Sequence, residues 1–167
     1  MKVNSLREVF IDELKDIYDA EQQIVKALPQ MVKAASAPEL GRAFEGHLQE
    51  TKDHVRRIEQ IFQGMGEDAK AKKCDGVRGI LKEGEDAIDL EGDANARDAA
   101  LIAAAQRVEH YEMAVYGSLK NWASQIGEER AAGLLGETLN EEKAADQKLN
   151  HIATSGVNSG AARTASA

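Results

Sequence analysis

Apolar residues recur at alternating intervals of three and four along four long segments of the chain, the spacing of one face of an α-helix. The first segment opens at Ser5 with Glu8 three residues on, a capping-box pattern, and carries Leu6, Phe10, Leu14, Ile17, Ile24, Leu28, Met31 and Ala35. Pro29 lacks a backbone donor, so it predicts a bend or a weakened turn near Val25 without ending the helix. Ser36-Ala37-Pro38 makes the break. Pro38 then sits near the first position of a second helix with Leu40, Phe44, His47, Val55, Ile58, Ile61 and Phe62 on one side, stopped by Gly64-Met65-Gly66. A third helix is predicted from about Asn95 to Gln125 and a fourth from about Glu128 to Ala153, parted by Gly127.

Two short connections force antiparallel neighbours, whereas the stretch from Gly64 to Ala94 is long enough to cross the bundle. The expected fold is therefore all-α: a four-helix bundle of two antiparallel hairpins with a long crossover. Val77, Ile80, Leu81 and Ile88 recur at helical spacing inside that crossover and predict a short extra helix between Asp75 and Leu90. The same apolar strip motivates the expectation of a homodimer. After Thr154 the apolar period is lost, so residues 1–154 are read as one domain and 155–167 as a flexible tail.

Composition narrows the functional classes. Among 167 residues, Lys and Arg number 21 against 29 Asp and Glu, a formal charge of -8 that opposes binding to nucleic acid or an anionic membrane surface. No run of about 18 apolar residues predicts a membrane span, and the first residues lack the apolar core of a secretory signal. The single cysteine, Cys74, cannot form an internal disulfide, which makes a reducing cytoplasm the default compartment. Gly64-Met65-Gly66 follows a helix rather than a strand, so it does not read as a dinucleotide loop. The acidic stretch from Glu83 to Asp98 lacks the spacing of a calcium loop, and no hydrolase motif or P-loop is present.

The anomaly in the pattern is acidic residues in apolar stripes. Glu21 falls between Ile17 and Ile24, Glu112 between Val108 and Val115, and Glu142 among Leu135, Leu139 and Leu149. Glu109 lies one turn before Glu112, and Asp146 one turn after Glu142, with Glu141 pointing away. Glu50 and His54 form an i, i+4 pair facing inward. The steps from Glu21 to Glu50 and His54 are 29 and 33, and those from Glu112 to Glu142 and Asp146 are 30 and 34, so the hairpins present equivalent sets. Several buried carboxylates repel one another unless a multivalent cation neutralises them. Two divalent metals held by Glu21, Glu50, His54, Glu109, Glu112, Glu142 and Asp146 meet that need. Carboxylate and imidazole donors suit iron or manganese, with zinc or magnesium as alternatives. Isolated acids paired with Lys or Arg across the bundle are the competing reading.

Other residues take ordinary roles at this level. His47 is read as structural or orienting and His110 as exposed. Tyr18 and Tyr116 are read as core tyrosines within reach of the ligating carboxylates, and Cys74 as an unexceptional surface thiol.

The segments ELKDIYDAEQQ from Glu13, HLQETKDH from His47, Lys73-Cys74, RVEHYE from Arg107 and LNEEKAAD from Leu139 resemble the ferritin-like superfamily. The resemblance is to its YciF-like bacterial stress-protein branch, and it covers Leu6 to Ala153. It implies a ferritin-like four-helix bundle with a dinuclear metal centre and a role in stress protection. Fe(II) oxidation, or reduction of oxygen or peroxide, is the implied chemistry. The resemblance at Lys73-Cys74 leaves room for redox sensing. Two departures stand out: the i, i+4 spacing replaces Glu-x-x-His, and Asp146 stands where a second histidine is usual. A site with Asp146 on one metal and His54 on the other would be unequal, one half favouring manganese or magnesium and the other iron or zinc. No catalytic residue is assignable, and a structural or partner-binding stress protein without turnover remains the alternative.

Overall fold

The computed structural model describes residues 3–164, which form helices joined by turns and one longer loop. Helix α1 spans Leu6–Ala34, α2 Pro38–Met65, α3 Asp75–Ile88, α4 Ala94–Gln125 and α5 Glu129–Ile152. A π-helical turn, Ala153–Val157, leads into α6, Asn158–Thr164. The fold is all-α and ferritin-like, with α1–α2 and α4–α5 as the two hairpins. The crossover helix α3 lies against α4 and α1.

Local chemistry accounts for the boundaries. The Ser5 hydroxyl accepts the backbone N–H of Glu8 at 3.2 Å, while the Glu8 carboxylate reaches back to the N–H of Asn4 at 2.6 Å. Helix α1 continues through Pro29, whose missing donor is tolerated within a well-packed helix. Pro38 opens α2, and Gly66 closes it at φ 69°, a left-handed conformation that favours glycine. Asp93 caps α4 by accepting the N–H of Ala96 at 2.8 Å.

One cap is supplied from outside its own helix. The N-cap of α2, Ala37, has no side-chain acceptor, so buried Asp98 of α4 accepts the N–H groups of Ser36 and Ala37 at 2.9 and 2.7 Å. A charge-assisted bond of this kind contributes about 1.5–3 kcal/mol. It ties the tight turn of the first hairpin to the second. Asp98 has no signal in the apolar period, because its partners are backbone groups distant in sequence.

The structure differs from expectation in three places outside the site. Residues 155–164 continue as helix, with Val157 buried and α6 against α4, rather than forming a flexible tail; residues 165–167 lie outside the described ones. Cys74 is 1% exposed instead of being a surface thiol. Its Sγ accepts the Val77 N–H at 3.4 Å as the N-cap of α3 and lies 3.0 Å from the Tyr111 hydroxyl. Burial, followed by neighbouring Asp16, pushes its pKa up. The α3 strip is likewise not free: Val77 is fully buried, and Ile80, Leu81 and Ile88 are partly buried against the core. Among the described residues the exposed large apolar side chains are Val3, Leu6 and Leu90, and no helix is long and apolar enough to cross a membrane.

Candidate metal centre

Apolar layers above and below the middle of the bundle, including Leu14, Ile17, Phe44, Ile58, Leu101 and Leu119, enclose a polar layer. Six titratable side chains meet there from four helices: Glu21 of α1, His47 and His54 of α2, Glu109 and Glu112 of α4, and Glu142 of α5. Glu21, His54, Glu112 and Glu142 are wholly inaccessible, Glu109 is 2% exposed and His47 7%. They form two overlapping groups: His47, Glu109, Glu112 and Glu142, then Glu21, His54 and Glu142. Within each group the ligand atoms lie within 4.8 Å of one another, and Glu142 belongs to both.

Helix phase explains which side chains arrive. His47 and His54 are seven residues apart, two turns, and so share one face with Phe44, Thr51 and Ile58. Glu50, at about 100° per residue, lies roughly 80° from the middle of that face and is exposed. Its Oε2 faces His47 Nδ1 at 3.4 Å instead of entering the centre. Asp146 has nearly the right phase on α5 but sits one turn farther along the axis, about 6 Å away by helix rise. There it accepts a hydrogen bond from Gln106 at 2.9 Å and faces exposed His110 at 3.3 Å. Of the seven ligands expected from the sequence, the structure brings together Glu21, His54, Glu109, Glu112 and Glu142, leaves Glu50 and Asp146 outside, and adds His47.

Each imidazole is fixed from behind. His54 presents Nδ1 to Glu142 at 3.0 Å and Glu21 at 3.5 Å, while its Nε2 lies 2.8 Å from Glu141 Oε2. Glu141 is in turn held by both terminal nitrogens of Arg57, which also donates to Thr138 at 3.1 Å. Glu141, expected to point away, thus sits on the flank of α5 that faces α2. His47 directs Nδ1 at Glu50 and Nε2 towards Glu109 at 3.4 Å and Glu142 at 3.8 Å. Carboxylates behind both rings orient the opposite nitrogens inward, the arrangement by which proteins set histidine tautomers at metals. Tyr116, fully buried, donates its hydroxyl to Glu21 Oε1. Tyr18 instead donates to Glu59 at 2.8 Å, away from the centre.

The electrostatics are unbalanced. Burial, then repulsion from Glu142 and the other carboxylates, pushes Glu109 and Glu112 well above the usual carboxylate range. Burial works against charge on His54, yet Glu142 and Glu21 together raise its pKa to about 11. Burial also opposes charge on Glu142, but the facing histidines keep its pKa low. Even so, eight of the nine buried side-chain polar atoms without a hydrogen-bond partner among the described residues lie here: Glu21 Oε2, His47 Nε2, His54 Nδ1, Glu109 Oε2, and both carboxylate oxygens of Glu112 and Glu142. Leaving a buried polar group unpaired costs about 1–3 kcal/mol, and more if it is charged. Atoms of this kind, gathered in two overlapping groups, fit divalent cations: four carboxylates and two neutral imidazoles carry -4, which two such ions balance.

Comparisons with known proteins agree with this architecture. The family described as "Domain of unknown function (DUF892)" matches residues 5–162. Protein YciF of Escherichia coli K12 is 43% identical over 159 residues, covering 95% of this chain and 96% of YciF. The crystal structure of that E. coli stress protein superposes with a TM-score of 0.90 over 93% of this chain and 99% of its own. YcfI from Rhodopseudomonas palustris superposes with a TM-score of 0.85 at 40% identity, over 89% of this chain and 95% of its own. A Xanthomonas campestris protein, 19% identical with a TM-score of 0.74, shares the fold. Matched along nearly its whole length in both sequence and fold, the chain belongs to the DUF892 family, the YciF-like stress proteins of the ferritin-like superfamily.

Proposed function

We propose that the chain is a dinuclear metal-binding stress protein whose centre holds two iron or manganese ions and oxidises Fe(II) or reduces oxygen or peroxide. The observation that carries this reading is the convergence of eight unpaired buried donor atoms from Glu21, His47, His54, Glu109, Glu112 and Glu142. Such ions, when bound, supply redox electrons and Lewis acidity. Glu142, common to both groups, would help to hold both ions, and each group has one imidazole, so the two positions are more alike than Asp146 as a ligand would make them. The Arg57–Glu141 pair holds the proton on His54 Nε2, keeping the Nδ1 lone pair inward. Glu50 does the same for His47. Tyr116 fixes the rotamer of Glu21. Cys74, kept as a buried thiol, suits a reducing cytoplasm.

A structural, non-catalytic reading has one observation in its favour: a protonated His54 against Glu142 and Glu21 neutralises part of the cluster without metal. Metal analysis of purified protein and aerobic addition of Fe(II) to the metal-free chain separate the two. Two ions per chain with oxidation faster than the buffer control supports the redox centre. Iron oxidised no faster than in buffer would remove catalysis, and absence of bound metal would remove the centre.

A further inference from the structure

Among the described residues, the centre approaches solvent beside His47 and Glu109. Of its six donors, those with any exposure are His47 and Glu109, and both line a cavity of about 150 Å³ bounded by α1, α2, α3, α4 and α5. Its walls are apolar, formed by residues such as Ile24, Phe44, Ile80, Ile88, Val108 and Leu149. Glu85 and Lys148 stand among its polar lining. A cavity of about 150 Å³ lined by Leu, Ile and Phe stays dry and admits a benzene-sized molecule. Here the apolar walls lead to the imidazole of His47 and the carboxyl group of Glu109.

We propose that this cavity is the substrate pocket of the metal centre and takes a neutral, benzene-sized organic molecule bearing one hydroxylic oxygen. The apolar body packs against Phe44, Ile80 and Ile88, and the O–H group points at His47 and Glu109, donating to the Glu109 carboxyl group in the metal-free protein. Anions are disfavoured, because Glu50 lies at that end and desolvating a charge between apolar walls is expensive. The role as a substrate pocket rests on the metal-centre reading, but binding itself does not.

The mouth can be closed without touching the donors. Gly84 of α3 lines the cavity, and a Cβ built there meets no atom within 4 Å, so a larger side chain enters open space. The test uses metal-free full-length chain, with phenol as the probe, benzoate as its anionic counterpart, and toluene as the same body without the hydroxyl. Binding is read by calorimetry and by the imidazole NMR signals of His47. Saturable phenol binding that shifts those signals is expected, tighter than benzoate or toluene by about tenfold and weakened by about tenfold or more in Gly84→Phe. Gly84→Ala, which leaves the mouth open, is expected to bind as the unmodified chain does, and circular dichroism verifies the fold of both variants. No saturable phenol binding to the unmodified chain, equal affinity for benzoate, or undiminished affinity in a folded Gly84→Phe would overturn the pocket. Metal titration run in parallel keeps the two readings apart: phenol binding with no metal uptake supports the pocket and removes the metal centre, whereas metal uptake without phenol binding removes the pocket alone.

Discussion

Glu50 and His47 exchange the roles that their positions in the sequence suggest, and the exchange is a matter of tens of degrees around one helix. Both lie near the inner side of α2, but the ring of His47 reaches the centre while the carboxylate of Glu50 stops behind it. Single substitutions therefore separate the two sets of candidate ligands. Glu142→Gln and Glu21→Gln are expected to weaken metal binding by about a hundredfold or more, and His47→Ala similarly. Glu50→Gln is expected to cost roughly tenfold through the orientation of His47, and Asp146→Asn almost nothing, because Asp146 is occupied by Gln106 and His110. Competitive titration against a chelator measures all five; an Asp146→Asn variant as impaired as Glu142→Gln would restore Asp146 to the ligand set. Cys74 gives a second residue-scale outcome. With its thiol buried and its pKa raised, alkylation of the folded protein is expected to be far slower than that of the denatured chain. Equal rates measured by mass spectrometry would contradict the cap.

At the scale of elements, the two hairpins are joined by polar contacts as well as by the apolar core. Asp98 of α4 holds the turn between α1 and α2, and Arg57 of α2 holds Glu141 of α5. Removing the Asp98 carboxylate leaves two partly buried N–H groups without their charged acceptor, so Asp98→Ala is expected to lower stability by about 2 kcal/mol and Tm by about 4–8 °C. Thermal unfolding checks this, and a Tm within a degree of the unmodified chain would remove the cap from α2. Asp98→Asn, with one acceptor oxygen, is expected to lie between. Helix α3 is legible as an amphipathic segment, but its apolar residues serve two purposes: Val77 seals the bundle, whereas Ile80 and Ile88 wall the cavity. Periodicity marks them alike, because it records which face is apolar and not what that face meets.

Across the whole molecule, the buried charges link stability to both pH and metal. Glu109 and Glu112 have raised pKa values in the folded chain, and His54 is raised to about 11, so each binds its proton more tightly folded than unfolded. Their contribution to metal-free stability is fully present below the unfolded values, near 4.5 for the acids and 6.5 for the histidine. It is lost as pH rises through the folded ones. Glu142, lowered, contributes above its unfolded value of 4.5 and loses that contribution as pH falls through its folded one. The metal-free chain is thus expected to lose stability from about pH 5 upward. Metals compete with those same protons, so the stabilisation they add is expected to grow over that range. Denaturant unfolding from pH 5 to 9, with and without Mn²⁺, tests the linkage, and metal-free stability that rises with pH would contradict it. With α3 docked and exposed apolar residues scattered, light scattering is expected to return one or two chains of 18.1 kDa each. A cage-sized particle would overturn this and favour iron storage.

The five longer helices, most of their ends, the hairpin order and the acids that interrupt apolar stripes were determined by the sequence alone, because each depends on residues within a few turns of one another. Ser5, Pro38, Gly66 and Gly127 mark boundaries by local backbone chemistry, and Glu21, Glu112 and Glu142 interrupt apolar stripes whose phase is set by 3.6 residues per turn. The pairing of those acids with particular partners was decided only in three dimensions. An internal repeat with steps near 30 made Glu50 and Asp146 look equivalent to ligands, but the helices do not obey that symmetry: α2 supplies both imidazoles and α5 a carboxylate. Axial level and the rotation of each helix about its axis come from packing against neighbours far away in sequence. Those two quantities place His47 in the centre, Glu141 behind His54, Cys74 at the start of α3, and an open cavity beside His47 and Glu109.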